Sequence, residues 1–169
     1  MKALKNILVL LTAAMMAISC IKDGPQKEFE LEPGDSIPNF TVQMNDGSVV
    51  SSSQLKKGIA FIMFFHTSCP DCQNTLPAVQ QIYNQWGNVI STVLISREQG
   101  AEEIQQHWKE KGYNLPYSAQ STREIYNLFA TSRVPRVYIC KDGIIEHIFT
   151  DSPIPTYSDL AVIIGDYMD

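Results

Sequence analysis

The chain has 169 residues, of which 44% are hydrophobic, and this apolar content is enough for the core of one domain. Its 13 lysines and arginines stand against 18 acidic residues, which gives a formal net charge of −5. We therefore expect no basic surface of the kind that binds nucleic acid.

The first 19 residues have the pattern of a signal peptide. Lys2 and Lys5 precede an apolar run, Ile7–Ile18, that is too short for an ordinary membrane span. Ala17-Ile18-Ser19 followed by Cys20 resembles a lipobox, so we expect cleavage before Cys20 and lipidation of this cysteine. Because the removed segment holds two lysines and no acidic residue, cleavage changes the net charge from −5 to −7.

We divide the chain into a signal peptide at residues 1–19, a lipid-anchored tether at residues 20–31, and one domain at residues 32–169. The tether is polar and contains Gly24 and Pro25, as is typical of linkers. This organisation predicts a protein of the cell envelope that is anchored through its N-terminal lipid and faces the periplasm or the extracellular side.

The domain opens with a predicted β-hairpin, in which Phe40–Met44 and Ser48–Ser51 flank an Asp46-Gly47 turn. Ser51–Lys57 is expected to form a capped helical turn. Ile59–Phe65 is apolar throughout, which predicts a strand buried on both faces.

A helix is predicted to begin at the first cysteine of Cys69-Pro70-Asp71-Cys72. Pro70 suits the first helical position, because its missing N–H would have no intrahelical partner there. Pro77 lies inside this helix and predicts a kink. Apolar residues recur at three- and four-residue spacing and form one stripe, which consists of Cys72, Leu76, Val79, Tyr83 and Trp86.

The rest of the chain continues the alternation of strands and helices, which predicts an α/β sandwich with a mixed sheet. The predicted elements are a strand at Val89–Ser96, a helix at Ala101–Lys111, a short extended segment at Tyr113–Ala119, a helix at Thr122–Phe129 with Thr122 or Ser121 as its cap, a strand at Val137–Cys140, a turn at Asp142-Gly143, a strand at Ile144–Thr150, and a helix at Tyr157–Tyr167.

The Cys-x-x-Cys motif is the feature that points to chemistry. Such a pair occurs in zinc sites, in structural disulfides and in redox-active pairs. A zinc site needs two further ligands at suitable spacing, and the sequence has no second pair. A structural disulfide would not need a helix start, where free N–H groups favour a thiolate at Cys69. The pattern therefore favours a redox-active disulfide between Cys69 and Cys72, with no other cofactor and no metal ion.

Together these segments resemble the thioredoxin superfamily, and within it the membrane-anchored thiol–disulfide oxidoreductases of the TlpA/ResA type. The resemblance covers about residues 32–167 and implies a three-layer sandwich with a mixed central sheet and an N-terminal β-hairpin extension. The matching segments are Pro33–Phe40, the active-site strand and turn Phe64–Cys72, the kinked helix Leu76–Tyr83, the cis-proline loop Val134-Pro135, and the hairpin at Lys141–Gly143.

The resemblance also implies roles for individual residues. Cys69 is expected to attack a partner disulfide, and Cys72 to resolve the mixed disulfide. Pro135 is expected to follow a cis peptide bond beside the two cysteines, and the backbone of Val134 to pair with an extended substrate segment. Cys140, by contrast, is expected to be a buried apolar residue.

The chain departs from the family around these cysteines. Ser68 stands where the family usually has Trp, and Met63 and Thr75 stand where it has buried carboxylates that relay protons. We therefore consider His66 and Asp71, together with Pro70, as residues that modulate the active site. Asp71 should oppose the stabilisation of a thiolate by the helix dipole.

The resemblance implies an enzyme that exchanges disulfides with dithiol or disulfide-containing envelope proteins, as a reductant supplied by a membrane electron donor, and that is a monomer. Two alternatives remain. A copper-binding relative would use Cys69, Cys72 and a histidine, although such relatives space their cysteines one residue further apart. A thiol peroxidase needs a Pro-x-x-x-Thr-x-x-Cys signature, and here Ile62 and His66 occupy the Pro and Thr positions.

Lipidation of Cys20 is directly testable. We expect the mature protein to partition into the detergent phase, and the Cys20→Ser variant to be released or to remain unprocessed. Detergent phase separation followed by mass determination measures both outcomes, with Cys140→Ala as the matched control. Recovery of the wild-type protein entirely from the aqueous phase would contradict the lipid anchor.

Overall fold

The structure, a computed structural model, describes residues 29–168, so the predicted signal peptide, Cys20 and most of the predicted tether lie outside the described residues. A two-stranded sheet is followed by a five-stranded mixed sheet flanked by helices, which confirms the predicted thioredoxin-like sandwich. The elements are β1 Thr41–Gln43, β2 Val49–Ser51, α1 Ser52–Leu55, β3 Ile59–Phe65, α2 Pro70–Trp86, β4 Ser91–Ser96, α3 Ala101–Lys111, β5 Tyr117–Ser118, a 3-10 turn Tyr126–Leu128, β6 Arg136–Lys141, β7 Ile144–Phe149 and α4 Tyr157–Asp166.

Strand β3 lies at the centre of the large sheet, whose strand order is β5-β4-β3-β6-β7. It pairs in parallel with β4 and antiparallel with β6. All seven of its residues are buried, as the uninterrupted apolar run predicts. Because β3 and β4 are parallel, their carboxyl ends meet at the same end of the sheet, where Phe65 lies opposite Ser96.

Helix α2 starts directly after Cys69, which is its N-cap residue, and Pro70 occupies the first helical position as predicted. Pro77 lies inside the helix without ending it. The predicted stripe faces the core: Cys72, Leu76 and Val79 are fully buried, and Tyr83 and Trp86 are partly buried against them. The ring of Trp86 stacks on Tyr157 of α4 at a centroid distance of 6.4 Å, and α2 and α4 pack together.

An aromatic cluster fills the core beside β3. The Phe64 ring centroid lies 5.3 Å from that of Tyr126, 4.8 Å from that of Phe129 and 6.1 Å from that of Tyr138. All four side chains are fully buried. Edge-to-face and tilted aromatic contacts add to the free energy gained by burying this apolar area. The cluster therefore connects the active-site strand to β6 and to the 3-10 turn.

The predicted helix at Thr122–Phe129 is wrong, because only a 3-10 turn at Tyr126–Leu128 forms there. The Thr122 hydroxyl accepts a hydrogen bond from the N–H of Glu124, two residues on, which closes a local turn instead of capping a helix. Tyr126 and Phe129 enter the core, whereas Leu128 is exposed. One 3-10 turn is enough to place these two rings in the core.

Residues 29–31, the last of the predicted tether, pair with the segment after the 3-10 turn. The N–H of Leu31 donates to the carbonyl of Phe129 at 2.8 Å, and the N–H of Thr131 donates to that of Phe29 at 2.9 Å. The division of the chain into signal peptide, tether and domain stays a prediction. From residue 29 to residue 168, no helix is both long and apolar enough to cross a membrane.

Phe64 should be a major source of stability. We expect Phe64→Ala to lower the free energy of unfolding by about 3–5 kcal/mol, because it leaves a cavity among three aromatic rings. The control is Val162→Ala at a position that is 61% exposed, where a change within about 0.5 kcal/mol is expected. Chemical denaturation measures both values, and a similar small loss in the two variants would show that this cluster is not a principal part of the core.

Candidate active site

The two motif cysteines differ in exposure although they share one helical turn. Cys69 is partly exposed at the N-cap of α2, and its N–H donates to the carbonyl of His66 at 3.1 Å. Cys72, one turn further along α2, is fully buried. Both are free thiols in the structure. The more accessible cysteine is thus the one at the helix start.

The Cys69 thiol contacts the loop that precedes β6. It donates a hydrogen bond to the carbonyl of Val134, with 3.4 Å between sulfur and oxygen. The peptide bond between Val134 and Pro135 is cis, as predicted, and both residues are buried. A partner segment that reached the sulfur would therefore also meet the backbone of this loop.

The environment of Cys72 disfavours its thiolate. Burial raises the pKa of the Cys72 thiol far above its ordinary value, a hydrogen bond from the His66 backbone lowers it, and the neighbouring Cys69 raises it again. The positive charge of Arg97 also lowers it. A buried thiol with these partners stays protonated until another group helps to remove its proton.

Three side-chain amide contacts hold the loop between β3 and α2. The N–H of Thr67 donates to Gln99 Oε1 at 2.9 Å, and the Gln99 amide in turn contacts the Thr67 hydroxyl and Glu103. Gln73 Nε2 donates to the carbonyl of Thr67 at 2.7 Å. Gln99 is itself buried and bonds through its N–H to the carbonyl of Gln120 at 2.6 Å. This network fixes the backbone that leads into Cys69.

The predicted modulators lie around the motif, each with a different environment. His66 is partly buried, and its Nδ1 lies 2.9 Å from the Ser68 hydroxyl and accepts a hydrogen bond from the Ser68 N–H at 3.2 Å. Pro70 is exposed and Asp71 is partly exposed on the first turn of α2. The imidazole of His66 is thus oriented by the loop itself.

The two positions that carry carboxylates in the TlpA/ResA type are apolar or hydroxylic here and fully buried. Met63 lies in β3, and the Thr75 hydroxyl donates to the carbonyl of Asp71 at 2.8 Å. That bond satisfies the hydroxyl within its own helix. Neither side chain can accept and release a proton near neutral pH.

A charged group beside the loop was not found by sequence reasoning. Arg97 Nη2 lies 3.3 Å from Glu98 Oε1, and the same carboxylate accepts a hydrogen bond from Arg123. The pKa of Glu98 is lowered mainly by Arg123, and further by Arg97 and His66. Position in the sequence was the signal that could have found these residues. Arg97 and Gln99 lie just after β4, and β4 is parallel to β3, the strand that precedes the cysteines.

Cys140 lies in β6 away from this site and is fully buried. Burial raises the pKa of its thiol to about 12, which fits the predicted apolar core residue. Among residues 29–168, no three or more His, Cys, Asp and Glu side chains are grouped so that they could hold a metal ion. His107 and His147 lie on α3 and β7.

The sequence of the chain matches a known protein family. A sequence model of the AhpC/TSA family matches residues 33–148, which is more than half of the chain. The chain belongs to the AhpC/TSA family. The matched residues of this family member include both cysteines, the cis-proline loop and most of the large sheet.

The chain is also similar to individual proteins that are named for thiol–disulfide chemistry. The chain is 21% identical to the thiol-disulfide oxidoreductase ResA of Bacillus subtilis (strain 168) over 77% of this chain and 76% of that protein. The solution structure of a putative protein disulfide isomerase from Bacteroides thetaiotaomicron matches with a TM-score of 0.73 and 19% identity, over 82% of this chain and 89% of that one. A thioredoxin-family thiol:disulfide interchange protein from Chlorobium tepidum TLS matches with a TM-score of 0.69 and 20% identity, over 83% of this chain and all of that one.

The unequal exposure of the cysteines predicts unequal trapping of partners. We expect Cys72→Ser to accumulate mixed disulfides through Cys69, because the resolving thiol is gone, and Cys69→Ser to trap almost none. Non-reducing electrophoresis of acid-quenched cells measures the adducts, with Cys140→Ala as a control that should behave like the wild type. Equal trapping by the two variants would mean that Cys69 is not the attacking thiol.

Proposed function

We propose that this thiol–disulfide oxidoreductase of the thioredoxin superfamily works in the cell envelope and reduces disulfide bonds of partner proteins. The observation that supports this proposal best is the pairing of a partly exposed Cys69 with a fully buried Cys72 on one helical turn. An exposed thiol can attack a partner, and a buried thiol one turn away can reach the first sulfur but not the solvent.

The reaction proceeds in two exchanges. The Cys69 thiolate attacks one sulfur of a partner disulfide, which forms a mixed disulfide and releases the other partner sulfur as a thiolate. The Cys72 thiolate then attacks the sulfur of Cys69, which forms the Cys69–Cys72 disulfide and releases the second partner thiolate. The partner disulfide gains two electrons, and the two active-site thiols lose them. A membrane electron donor then reduces the pair for the next cycle.

The loop before β6 provides the docking position for the partner. Cys69 already contacts the Val134 carbonyl, so a chain that is joined to Cys69 lies against the Val134 backbone. An extended partner segment can pair there through main-chain hydrogen bonds, with Pro135 shaping the loop. Such pairing uses backbone atoms, and it suits an enzyme that acts on several partner sequences.

Asp71 supports the reducing direction. Its carboxylate lies on the first turn of α2, next in sequence to Pro70, and opposes the helix dipole that would otherwise stabilise the Cys69 thiolate. A less stabilised thiolate disfavours the reduced pair, so the reduced pair gives up its electrons more readily. The free N–H groups at the start of α2 thus favour the Cys69 thiolate, and the Asp71 carboxylate opposes it.

The N-terminal sequence supports the location. A signal peptide followed by Cys20 carries the protein across the membrane and leaves it attached by lipid, with the tether setting its reach. Disulfide-containing and dithiol proteins of the envelope are then the partners, and the enzyme acts as a monomer. The net negative charge argues against nucleic acid as a partner.

The redox direction is tested by equilibrating the pair against a dithiothreitol series. We expect a potential on the reducing side, near that of thioredoxin at about −270 mV. Asp71→Asn should raise the potential by about 10–20 mV, because one nearby negative charge is lost at a partly exposed site.

Asp166→Asn is the matched control, since it removes an exposed carboxylate at the far end of α4 and should leave the potential unchanged. A wild-type potential near about −120 mV, the value of a strong oxidant, would overturn the reductant assignment. Equal potentials for Asp71→Asn and the wild type would show that this carboxylate does not act on the thiols.

A further inference from the structure

One carboxylate joins the two ends of the cis-proline loop. Glu30 Oε1 accepts a hydrogen bond from the Ser132 hydroxyl at 2.7 Å, and it also pairs with Arg136 Nη2. Arg136 Nη2 in turn contacts the Ser132 hydroxyl. Ser132 lies two residues before Val134, and Arg136 directly follows Pro135. The three side chains therefore close a ring of polar contacts between the two ends of the loop.

The guanidinium in this ring is buried, so it depends on its carboxylate partner. The Arg136 side chain is 4% exposed, whereas the Glu30 side chain is 40% exposed. Within residues 29–168, Arg136 Nε has no hydrogen-bond partner, and Glu30 is the carboxylate that pairs with this guanidinium. A buried cation that loses its partner is left uncompensated, at a high cost in free energy. Loss of the Glu30 charge should therefore displace Arg136 and, with it, the preceding Pro135.

Main-chain hydrogen bonds set the position of Glu30. The N–H of Phe29 donates to the Thr131 hydroxyl at 3.0 Å, and the N–H of Thr131 donates to the carbonyl of Phe29 at 2.9 Å. Glu30 itself pairs with Ala130 in an antiparallel bridge. These contacts bring Glu30 to the loop although it lies 106 positions before Arg136 in the chain.

The cis-proline loop has a second support in the core. The Tyr126 hydroxyl donates to the carbonyl of Arg133 at 2.8 Å. Tyr126 is fully buried, and its ring packs edge-to-face on Phe64 at a centroid distance of 5.3 Å. The residue before Val134 is thus held from the core, while Glu30 holds the two ends of the loop. The direction of the Val134 carbonyl, which accepts the bond from the active-site thiol, depends on both supports.

We propose that Glu30 is a positioning residue for partner docking, because its contacts with Ser132 and Arg136 hold the loop in the conformation that pairs with an extended partner segment. The proposal rests on the disulfide exchange and the docking position at Val134 described above, but not on the direction of the reaction. Glu30 acts through the loop and not through the sulfur. A polypeptide disulfide needs the loop, whereas a small disulfide needs only the sulfur of Cys69.

Two substrates of different size separate docking from sulfur chemistry. The first is insulin, whose disulfides lie within polypeptide chains, and the second is dithiodipyridine, a small uncharged disulfide. In each case Cys69 attacks one substrate sulfur and releases the other, and Cys72 then displaces the first. The substrate gains the two electrons that the two protein thiols lose. Second-order rate constants of the reduced protein, in a Cys20→Ser background, are measured by acid quenching, alkylation and mass determination of the Cys69–Cys72 disulfide.

We expect Glu30→Gln to lower the rate constant with insulin by about three- to tenfold, because the amide cannot neutralise Arg136 and the loop shifts. The rate constant with dithiodipyridine should be unchanged. Ser132→Ala should lower the insulin rate constant by less, since it removes one hydroxyl and leaves the ion pair in place. A general loss of stability would instead lower both rate constants together.

Glu32→Gln is the matched control, since it removes an exposed carboxylate from the same segment and should change neither rate constant. An unchanged insulin rate constant in Glu30→Gln, or an equal loss with both substrates, would overturn the proposal. If Glu30→Gln does not fold, Ser132→Ala decides it, because a loss confined to insulin supports the proposal and an unchanged rate contradicts it. Failure of the unaltered protein to form the Cys69–Cys72 disulfide with either substrate would instead refute disulfide exchange itself.

Discussion

Burial of β3 on both faces is the constraint on which the rest of the site depends. All seven residues of this strand are inside the protein, so the chain can reach the surface only after Phe65. The next residues form the short loop that leads to Cys69, and α2 must start there because the sheet has ended. The parallel neighbour β4 ends at the same level and brings Arg97 and Gln99 to the loop. The sheet thus determines which residues surround the thiols.

The same helical turn gives the two cysteines opposite properties. Cys69 lies at the N-cap, where backbone N–H groups are free and one side faces solvent, while Cys72 faces the core with Leu76. A thiol in the first position is accessible to a partner, and a thiol in the second is protected from one. The difference in exposure therefore follows from position along the helix, because Cys69 is the N-cap at the start of α2 and Cys72 lies one turn further into the protein.

Sequence patterns predicted the parts of this site that are close together in the chain. The buried strand, the helix start at Pro70 and the stripe through Cys72 are local, and each depends on periodicity or on proline chemistry. Arg97 and Gln99 were missed because their contacts with Phe65 and Thr67 are set by strand pairing across about thirty positions. The helix predicted at Thr122–Phe129 does not form. Only the rings of Tyr126 and Phe129 from this segment are fully buried in the core, and a 3-10 turn is enough to place them there.

The proton of the buried Cys72 thiol has no carboxylate acceptor at the two positions where the TlpA/ResA type carries one. A carboxylate at either position could take up a proton, whereas the thioether of Met63 and the hydroxyl of Thr75 cannot do so near neutral pH. Both side chains are fully buried, so the proton must pass to a group outside this pair. The thiolate that the partner releases in the first exchange is such a group, because it forms beside the active site before Cys72 reacts. On this account, the partner supplies the base for its own release.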